Sequence, residues 1–228
     1  MQFVPPPPPA LGSAEYAAAL NEVKELGSAN SSTRTADQTE SAQSWASIGT
    51  PTGVAVIWNN VARSLAESRE TTTVENARLF AMMNMSHHDA FQTSFASKFH
   101  YDLWRPVTAI RRADEDGNDD TTADPTWASL IGNPPYPTYA GNVAAIGMAN
   151  AGVLALILRD DLPVQYTFAN NKTRRWGSLS AMADDAARSR EYGGIHFRFD
   201  SVAGQSIGLN TSNYIFIHAM KPKRGKKL

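Results

Sequence analysis

The stretch VENARLFAMMNMSHHDAFQTSFASKFHYDLW, residues 74–104, carries the longest helical pattern in the chain. Thr72 and Glu75 stand at its start with the spacing of a capping box, in which each side chain bonds the backbone N–H group of the other residue. Apolar side chains then recur near helical spacing: Leu79, Met82, Met83 and Ala90. The pattern predicts a long helix with one face against a hydrophobic core, interrupted or kinked at Pro106.

Helical patterns also dominate the rest of the chain. Thr35 and Gln38 form a second predicted capping box, which opens a helix that runs to about Trp45. Further helices are predicted by apolar spacing and helix-stop signals at residues 53–69, 143–158, 178–190 and about 196–219. LPVQYTF, residues 162–168, indicates a short strand or an extended loop. The fold class predicted from these segments is an all-α helical bundle.

Length and composition predict one large domain with two flanking segments. The chain has 228 residues, of which 42% are hydrophobic, enough to bury one good core. Five consecutive prolines favour a stiff, polyproline-containing N-terminal arm, assigned to residues 1–30. The helical domain is assigned to residues 31–220, and the basic run KPKRGKKL at 221–228 is expected to be a solvated tail.

Charge and cysteine content exclude several classes of function. A net charge of −1 argues against nucleic-acid and membrane-surface binding. Without cysteine, the chain has no disulfide, thiolate metal ligand or cysteine nucleophile. The apolar run at 143–158 is shorter than a typical membrane span and contains Asn150, so a buried core helix is expected. No secretory signal is evident in this chain, which predicts a soluble protein of unknown compartment.

The run KFHYDLWRP, residues 98–106, places two cations seven residues apart. If the helix continued through this run, Lys98 and Arg105 would project from one face. Two neighbouring cations repel each other unless an anion lies between them. The run therefore predicts an anion, whose identity depends on residues elsewhere in the chain.

A second polar motif is SREYGGIHFRFD, residues 189–200. Its two glycines allow the chain to turn, so that Arg190 and His196 can converge on one point. Asp200, four residues after His196, can accept the imidazole Nδ1–H and leave Nε2 free as a nucleophile or metal ligand. A purely structural hydrogen bond explains this pair equally well.

Between the two motifs lies PPYPTYAGN, residues 134–142, a rigid turn directly before the apolar helix. The first turn of a helix offers unpaired N–H groups to an anion. Ala140, Gly141 and Asn142 are therefore candidate anion-binding residues. Together, the three segments supply cations, amides and an oriented imidazole, which predicts a site for a tetrahedral or trigonal-bipyramidal oxyanion.

The spacing of the cationic motifs resembles the signature of the vanadium-dependent haloperoxidase and type 2 phosphatidic-acid phosphatase (PAP2) superfamily: Lys98–x6–Arg105–Pro106 and Ser189–Arg190–x5–His196–x3–Asp200. Stretches across residues 5–210, among them VENARLFAMMNMSHHDAF and YDLWRPVTAIRRADEDGN, are similar to soluble bacterial haloperoxidase-like proteins, a branch that is often extracytoplasmic. The resemblance implies a helical bundle with the site at one end. Because such haloperoxidases are usually longer, it also implies that this chain is their active-site half. A homodimer, or an exchanged arm formed by residues 1–30, would then replace the missing packing.

The resemblance also implies a role for each site residue. Lys98, Arg105 and Arg190 would hold the equatorial oxygens of vanadate, or of phosphate bound in its place. His196 would be the covalent vanadium ligand in a peroxidase, or the nucleophile that forms a phosphohistidine in a phosphatase. Asp200 would orient that imidazole.

The central motif departs from the family pattern, which has Pro-Ser-Gly-His there. Aligning the helix starts places Tyr139, Ala140, Gly141 and Asn142 at these positions, whereas a gapless alignment puts Val143 at the histidine. Neither alignment supplies the histidine that serves the family as general acid–base. Asn142 remains a candidate catalytic residue, although an amide can hydrogen-bond but cannot move a proton at neutral pH.

Aromatic residues are expected near the cations. Phe95, three residues before Lys98, keeps an aromatic wall where many relatives carry tryptophan, but it lacks an indole N–H. Trp104 and Tyr139 are further candidates to line the site, with core packing as the commoner role. The histidine pair at 87–88 could belong to a metal motif, although surface or core positions are the expected ones.

Three functions remain open on the sequence. In the first, vanadate is held by a cradle formed by Lys98, Arg105, Arg190 and His196. It accepts hydrogen peroxide and oxidises a halide, with bromide or iodide favoured over chloride. In the second, His196 attacks a phosphate ester. In the third, the chain is a weakened or non-catalytic oxyanion-binding relative, because the acid–base histidine is replaced near Asn142.

Overall fold

The computed structural model describes residues 2–48 and 51–221. Within these residues the chain forms eight α-helices, one short 3₁₀ turn and one two-stranded hairpin. In chain order the elements are α1 (Ala14–Leu26), α2 (Ala36–Ala46), α3 (Pro51–Ser68), α4 (Thr73–Tyr101), α5 (Pro106–Arg111), the 3₁₀ turn (Ala113–Glu115), α6 (Asn142–Leu158), β1 (Val164–Thr167), β2 (Thr173–Trp176), α7 (Leu179–Tyr192) and α8 (Arg198–His218). The predicted all-α bundle is confirmed.

The hairpin is a small addition to the bundle. β1 falls in the segment predicted as a short strand or extended loop, and it pairs antiparallel with β2, with Val164 opposite Trp176. The second strand, TRRW, was not predicted. Its two arginines give no run of strand-favouring residues, and its partner strand and the packing of Trp176 stabilise it instead.

Both predicted capping boxes are present. The Thr35 hydroxyl accepts from the Gln38 N–H at the start of α2, and the Thr72 hydroxyl accepts from the Glu75 N–H at the start of α4. In each case the longer side chain bonds the backbone N–H of the threonine in return. These short-range pairs set where the two helices begin.

The long helix ends earlier than its pattern predicts. α4 stops at Tyr101, and Asp102 adopts a left-handed conformation with φ of 47°. Arg105 is then the N-cap residue of α5, with Pro106 in the first turn. The prediction that Lys98 and Arg105 share one continuous helix is therefore wrong, although both side chains reach the same site.

The apolar helix α6 forms the centre of the bundle. It packs against α4, α7 and α8, and its buried residues occur all around its axis. Asn150, inside this helix, is fully buried, and its amide donates to the Ile146 carbonyl and to His87 Nδ1. The expectation of a buried core helix is thus met.

No helix in the described part of the chain is long and apolar enough to cross a membrane. The run at 143–158 that raised this question lies inside the protein core.

Glycine on α8 allows that helix to approach the start of α6 closely. A Cβ atom at Gly204 would lie 2.2 Å from the Gly141 carbonyl oxygen, which is closer than a non-bonded carbon atom can approach an oxygen. At the same junction the Gly141 N–H donates to the Asp200 carbonyl over 2.9 Å. The turn before α6 is therefore held directly against the first turn of α8.

The N-terminal segment packs onto the bundle. α1 buries Tyr16, Leu20 and Val23 in a second apolar cluster. The proline run also contacts the bundle, because the hydroxyls of Tyr101 and Tyr139 donate to carbonyls of that run. The division into an arm at 1–30, a domain at 31–220 and a tail at 221–228 stays a prediction, and 222–228 lie outside the described residues.

Candidate functional site

His196 and Asp200 form a buried pair at the start of α8. His196 is 2% exposed and Asp200 has no exposed surface. The Oδ2 atom of Asp200 accepts from His196 Nδ1 over 2.9 Å, from the Phe197 N–H over 3.0 Å and from the Thr138 hydroxyl. Because Nδ1 carries the proton in this arrangement, Nε2 of His196 keeps its lone pair.

Burial and the surrounding charges keep His196 neutral. Burial lowers the pKa of His196 well below its usual value, and the nearby charges of Lys98, Arg105 and Arg190 lower it further. Burial raises the pKa of Asp200 to about 6, against the opposing effect of its bond from Thr138. At neutral pH the pair is therefore a neutral imidazole beside a largely ionised carboxylate.

Lys98 is a fully buried cation in the last turn of α4. Its ammonium group donates to the Thr138 carbonyl over 2.5 Å and lies 5.6 Å from the centre of the Tyr136 ring. Burial lowers the pKa of Lys98 to about 7, and the charge of Arg105 acts in the same direction. A lysine in this position needs an anionic partner to stay charged.

Arg105 is 6% exposed and is held by two backbone carbonyls. Its Nε atom donates to Tyr136 O over 2.7 Å and its Nη1 atom donates to Ile195 O over 2.8 Å. The Nη2 atom is buried without a hydrogen-bond partner in the described structure. Burial lowers the pKa of Arg105 to about 10, so the guanidinium remains charged at neutral pH.

Arg190, in the last turn of α7, brings the third cation. Its Nε and Nη1 atoms are buried and have no partner among the described residues. Burial lowers the pKa of Arg190 to about 10, and Arg105 is the next largest cause. Buried guanidinium donors are normally paired, so these atoms have hydrogen bonds left to donate to an anion.

The start of α6 contributes less than predicted to anion binding. Ala140 is fully buried within the main apolar core. The Gly141 N–H already donates to the Asp200 carbonyl, and the Val143 N–H is bonded by the Asn142 side-chain oxygen. The Asn142 side chain lines the cavity described next, whereas an anion contact from the Gly141 amide would require breaking an existing bond.

A cavity of about 280 Å³ adjoins these groups. Polar residues on its wall are Tyr136, Asn142, Arg190 and His196. The apolar part of the wall comes from α2, α3, α6 and the loop before α6, and it includes Trp45, Ile131 and Ile146. The space is large enough for a small anion together with a second small reactant.

Thr138 and Tyr136 were missed by sequence reasoning. Thr138 bonds Asp200 with its hydroxyl and Lys98 with its carbonyl, so one residue links the two halves of the site. The Tyr136 ring lies beside both Lys98 and Arg105. A hydroxyl residue and an aromatic residue in a proline-rich turn carry no spacing signal, although both lie within the PPYPTYAGN segment that drew attention.

The aromatic candidates separate into two groups. The Phe95 ring lies 5.1 Å from the Tyr136 ring, next to the cations. Trp104 packs with the second apolar cluster and against Arg112, and Tyr139 packs in the main core with its hydroxyl on the proline run. Core packing is therefore the observed role of Trp104 and Tyr139.

The histidine pair at 87–88 does not form part of a metal cluster. His87 accepts a hydrogen bond from Asn150 over 2.9 Å, and His88 is exposed. Across the described residues, no group of three or more histidine, cysteine, aspartate or glutamate side chains could hold a metal ion. The expected surface and core positions account for both residues.

Residues 78–225 match a family model described as the VCPO second helical-bundle domain. The chain belongs to this family. Its membership confirms the vanadium haloperoxidase and PAP2 superfamily predicted from the cationic motifs. A vanadium chloroperoxidase from Curvularia inaequalis is 30% identical over 174 residues, which cover 62% of this chain and 27% of that protein.

Solved structures share the family's fold. A bacterial vanadium-dependent iodoperoxidase superposes with a TM-score of 0.80 at 24% identity, over 95% of this chain and 53% of that one. A transmembrane PAP2-type phosphatidylglycerolphosphate phosphatase from Bacillus subtilis superposes with a TM-score of 0.55 at 14% identity, over 94% of this chain and 90% of that one. The chain spans about half the length of the iodoperoxidase and about a quarter of the Curvularia inaequalis chloroperoxidase.

Proposed function

We propose that the site binds vanadate and that the chain oxidises a halide with hydrogen peroxide. Lys98, Arg105, Arg190 and His196 hold the oxyanion in this proposal, with Asp200 behind the imidazole. The observation that carries it is the set of buried guanidinium atoms, on Arg105 and Arg190, that have no partner within the described part of the chain and lie beside a neutral histidine. Donors of this kind bind a tetrahedral or trigonal-bipyramidal oxyanion with several charge-assisted hydrogen bonds.

The charge balance of the site agrees with an anionic occupant. Two arginines and a lysine with a pKa near 7 face one carboxylate, so the site carries an excess of positive charge at neutral pH. Vanadate and phosphate both supply the missing negative charge and the oxygen acceptors. The residues present therefore fit the cofactor that the family implies.

The chain's own groups have distinct tasks in this proposal. Asp200 and Thr138 fix the tautomer of His196, so that Nε2 is the atom able to bind vanadium. The arginines would neutralise negative charge on the oxygens of the bound anion. When bound, vanadate would supply a Lewis acid that activates hydrogen peroxide towards a halide.

Bromide or iodide is the expected halide. Asn142 cannot deliver a proton as histidine does. A general acid–base group typically raises the reaction rate by a factor of about 10²–10⁴, which this site would lose. Iodide and bromide are easier to oxidise than chloride, so a site with weakened activity would still oxidise these two halides. The relatives reported above include both an iodoperoxidase and a chloroperoxidase, so their names do not decide the halide.

Phosphate-ester hydrolysis is the second candidate. The neutral imidazole of His196, oriented by Asp200, is also the arrangement that a histidine nucleophile needs. In this case Nε2 attacks phosphorus and the ester alcohol leaves. Aryl phosphates, whose leaving groups need little protonation, are the substrates that the site would tolerate best. An oxyanion-binding relative with weakened or no turnover is the third.

Turnover of the vanadate-loaded protein tests the proposal. Iodide and bromide oxidation is measured with hydrogen peroxide for the wild type, His196→Ala and His100→Ala, the last removing an exposed histidine of α4 as the matched control. We expect oxidation that requires both vanadate and peroxide, is lost in His196→Ala and persists in His100→Ala. Equal activity in all three proteins would rule out the assigned site.

The same three proteins separate the alternatives. Hydrolysis of an aryl phosphate that orthovanadate inhibits, without halide oxidation, would support the phosphatase. Anion binding without turnover of either kind would support the weakened relative.

A further inference from the structure

Tyr136 occupies a central position in the site that the sequence did not indicate. Its ring centre lies 4.9 Å from the Arg105 guanidinium carbon and 5.6 Å from the Lys98 ammonium nitrogen. The same residue lines the cavity together with Arg190 and His196. The side chain thus contacts two cations of the cradle and also the space where a substrate would enter.

The Tyr136 hydroxyl lies beside Asn142, which stands at the position of the family's acid–base histidine when the helix starts are aligned. The Asn142 Nδ2 atom donates to the phenolic oxygen over 3.5 Å. This long contact uses an oxygen lone pair, so the phenolic proton remains available for donation elsewhere. A group that can release a proton is therefore next to the residue that cannot.

Cations lie close to the Tyr136 ring. Burial lowers the pKa of Arg105 and of Arg190 to about 10, and a negative charge on Tyr136 would oppose that lowering in both. The Lys98 ammonium group also lies over the Tyr136 ring. Loss of the phenolic proton during a reaction would thus be compensated by three neighbouring cations.

We propose that Tyr136 is the proton-donating residue of this site and replaces the histidine that is absent at Asn142. This inference rests on the proposed function and adds to it the group that completes the reaction. The substrate it serves is one whose oxygen leaves as water or as an alcohol.

The proton transfer balances in both candidate reactions. The phenolic O–H bond breaks, and its proton passes to the departing oxygen, which leaves as water from hydrogen peroxide or as the alcohol of an ester. The phenolate then takes a proton from solvent through the cavity. Halide oxidation therefore consumes one halide ion, one hydrogen peroxide and one proton, and it yields hypohalous acid and water.

Tyr136→Phe tests this role, because it removes the hydroxyl and keeps the ring on the cations. The matched control is Tyr101→Phe, whose hydroxyl donates to the Pro5 carbonyl outside the site. We expect the turnover of Tyr136→Phe to fall by a factor of about 10²–10⁴, with little change in Tyr101→Phe. Orthovanadate affinity should weaken by no more than about tenfold, as for one neutral hydrogen bond.

Two further readouts do not depend on turnover alone. Orthovanadate, and inorganic phosphate separately, should change the ultraviolet absorbance of tyrosine in the wild type and in Tyr101→Phe, but not in Tyr136→Phe. Asn142→His in the Tyr136→Phe background should restore turnover, because it returns a proton donor to the family position.

The outcomes separate this inference from the proposed function. An absence of anion binding in the wild type overturns both. Binding with an unchanged tyrosine spectrum, or equal turnover in Tyr136→Phe and the wild type, overturns the role of Tyr136 and leaves the oxyanion site standing. Selective loss in Tyr136→Phe with anion binding retained supports it.

Discussion

Lys98 is a lysine without exposed surface, and its ionisation depends on what the site contains. Burial and Arg105 lower its pKa to about 7 when no anion is present. A bound oxyanion favours the charged ammonium and raises that pKa again. Anion binding and protonation of Lys98 are therefore linked.

The linkage predicts a pH dependence of anion affinity. Below about pH 7 Lys98 is already protonated, so affinity is at its full value. Above that pH binding must take up a proton, and affinity falls towards tenfold per pH unit until the pKa of the bound state is reached. Sulfate is a suitable probe because its own charge is constant in this range. Calorimetric titrations at several pH values should show this slope in the wild type, and Lys98→Met should remove it. A flat profile in the wild type would contradict the linkage.

Thr138 is the second residue whose role can be tested directly. Thr138→Val keeps the shape but removes the hydroxyl that bonds Asp200, and it leaves a buried carboxylate with fewer donors. We expect a loss of about 1–3 kcal/mol in the free energy of unfolding, measured by urea denaturation. Thr138→Ser, which keeps the hydroxyl, should lose clearly less. Equal losses would contradict a specific role of the hydroxyl, because the methyl group would then contribute as much to stability as the bond.

At the scale of the elements, short-range signals were predictable and long-range ones were not. The capping boxes at Thr35 and Thr72 involve residues three apart, so the sequence predicts both correctly. The end of α4 was misplaced because Asp102 turns the chain in a left-handed conformation that its neighbours do not specify. Thr138 bonds Lys98 and Asp200, which lie 40 and 62 residues away in the sequence. The Tyr136 carbonyl bonds Arg105, 31 residues away. No local sequence pattern encodes contacts at such separations.

The site residues follow the same division. Lys98, Arg105, Arg190, His196 and Asp200 were found because their spacing resembles a known signature, and the structure brings them together. That spacing did not reveal that the Gly141 N–H is already bonded or that Tyr136 lies on the cations. The assignment of each residue to an oxyanion stays a prediction until an anion is bound.

The junction of α6 and α8 gives a prediction at this scale. In Gly204→Ala the new Cβ would clash with the Gly141 carbonyl, so the helices must separate where Asp200 is held. We expect a loss of about 1–3 kcal/mol in unfolding free energy, together with weaker anion binding. Gly147→Ala is the matched control, because its Cβ would meet its nearest neighbour at an ordinary 3.9 Å. If both variants were equally stable, close approach at Gly204 would not be required.

For the whole molecule, the chain spans about half of a bacterial iodoperoxidase structure. Apolar side chains on α8 remain exposed, among them Val202 at 58% and Ile217 at 51%. The homodimer predicted from the sequence would cover such residues. Sedimentation of the wild type and of Val202→Asp should show a dimer that the substitution weakens. A monomeric wild type at all concentrations would contradict the prediction.

The most direct measurement of the central claim is a calorimetric titration of orthovanadate into the wild type, His196→Ala and Arg190→Met. Arg175→Met, which removes an exposed arginine of β2, is the control for loss of charge alone. We predict one vanadate site per chain that is lost in His196→Ala, weakened by about 10- to 100-fold in Arg190→Met and unchanged in Arg175→Met. No binding in the wild type, or equal binding in all four proteins, would contradict an oxyanion site at these residues.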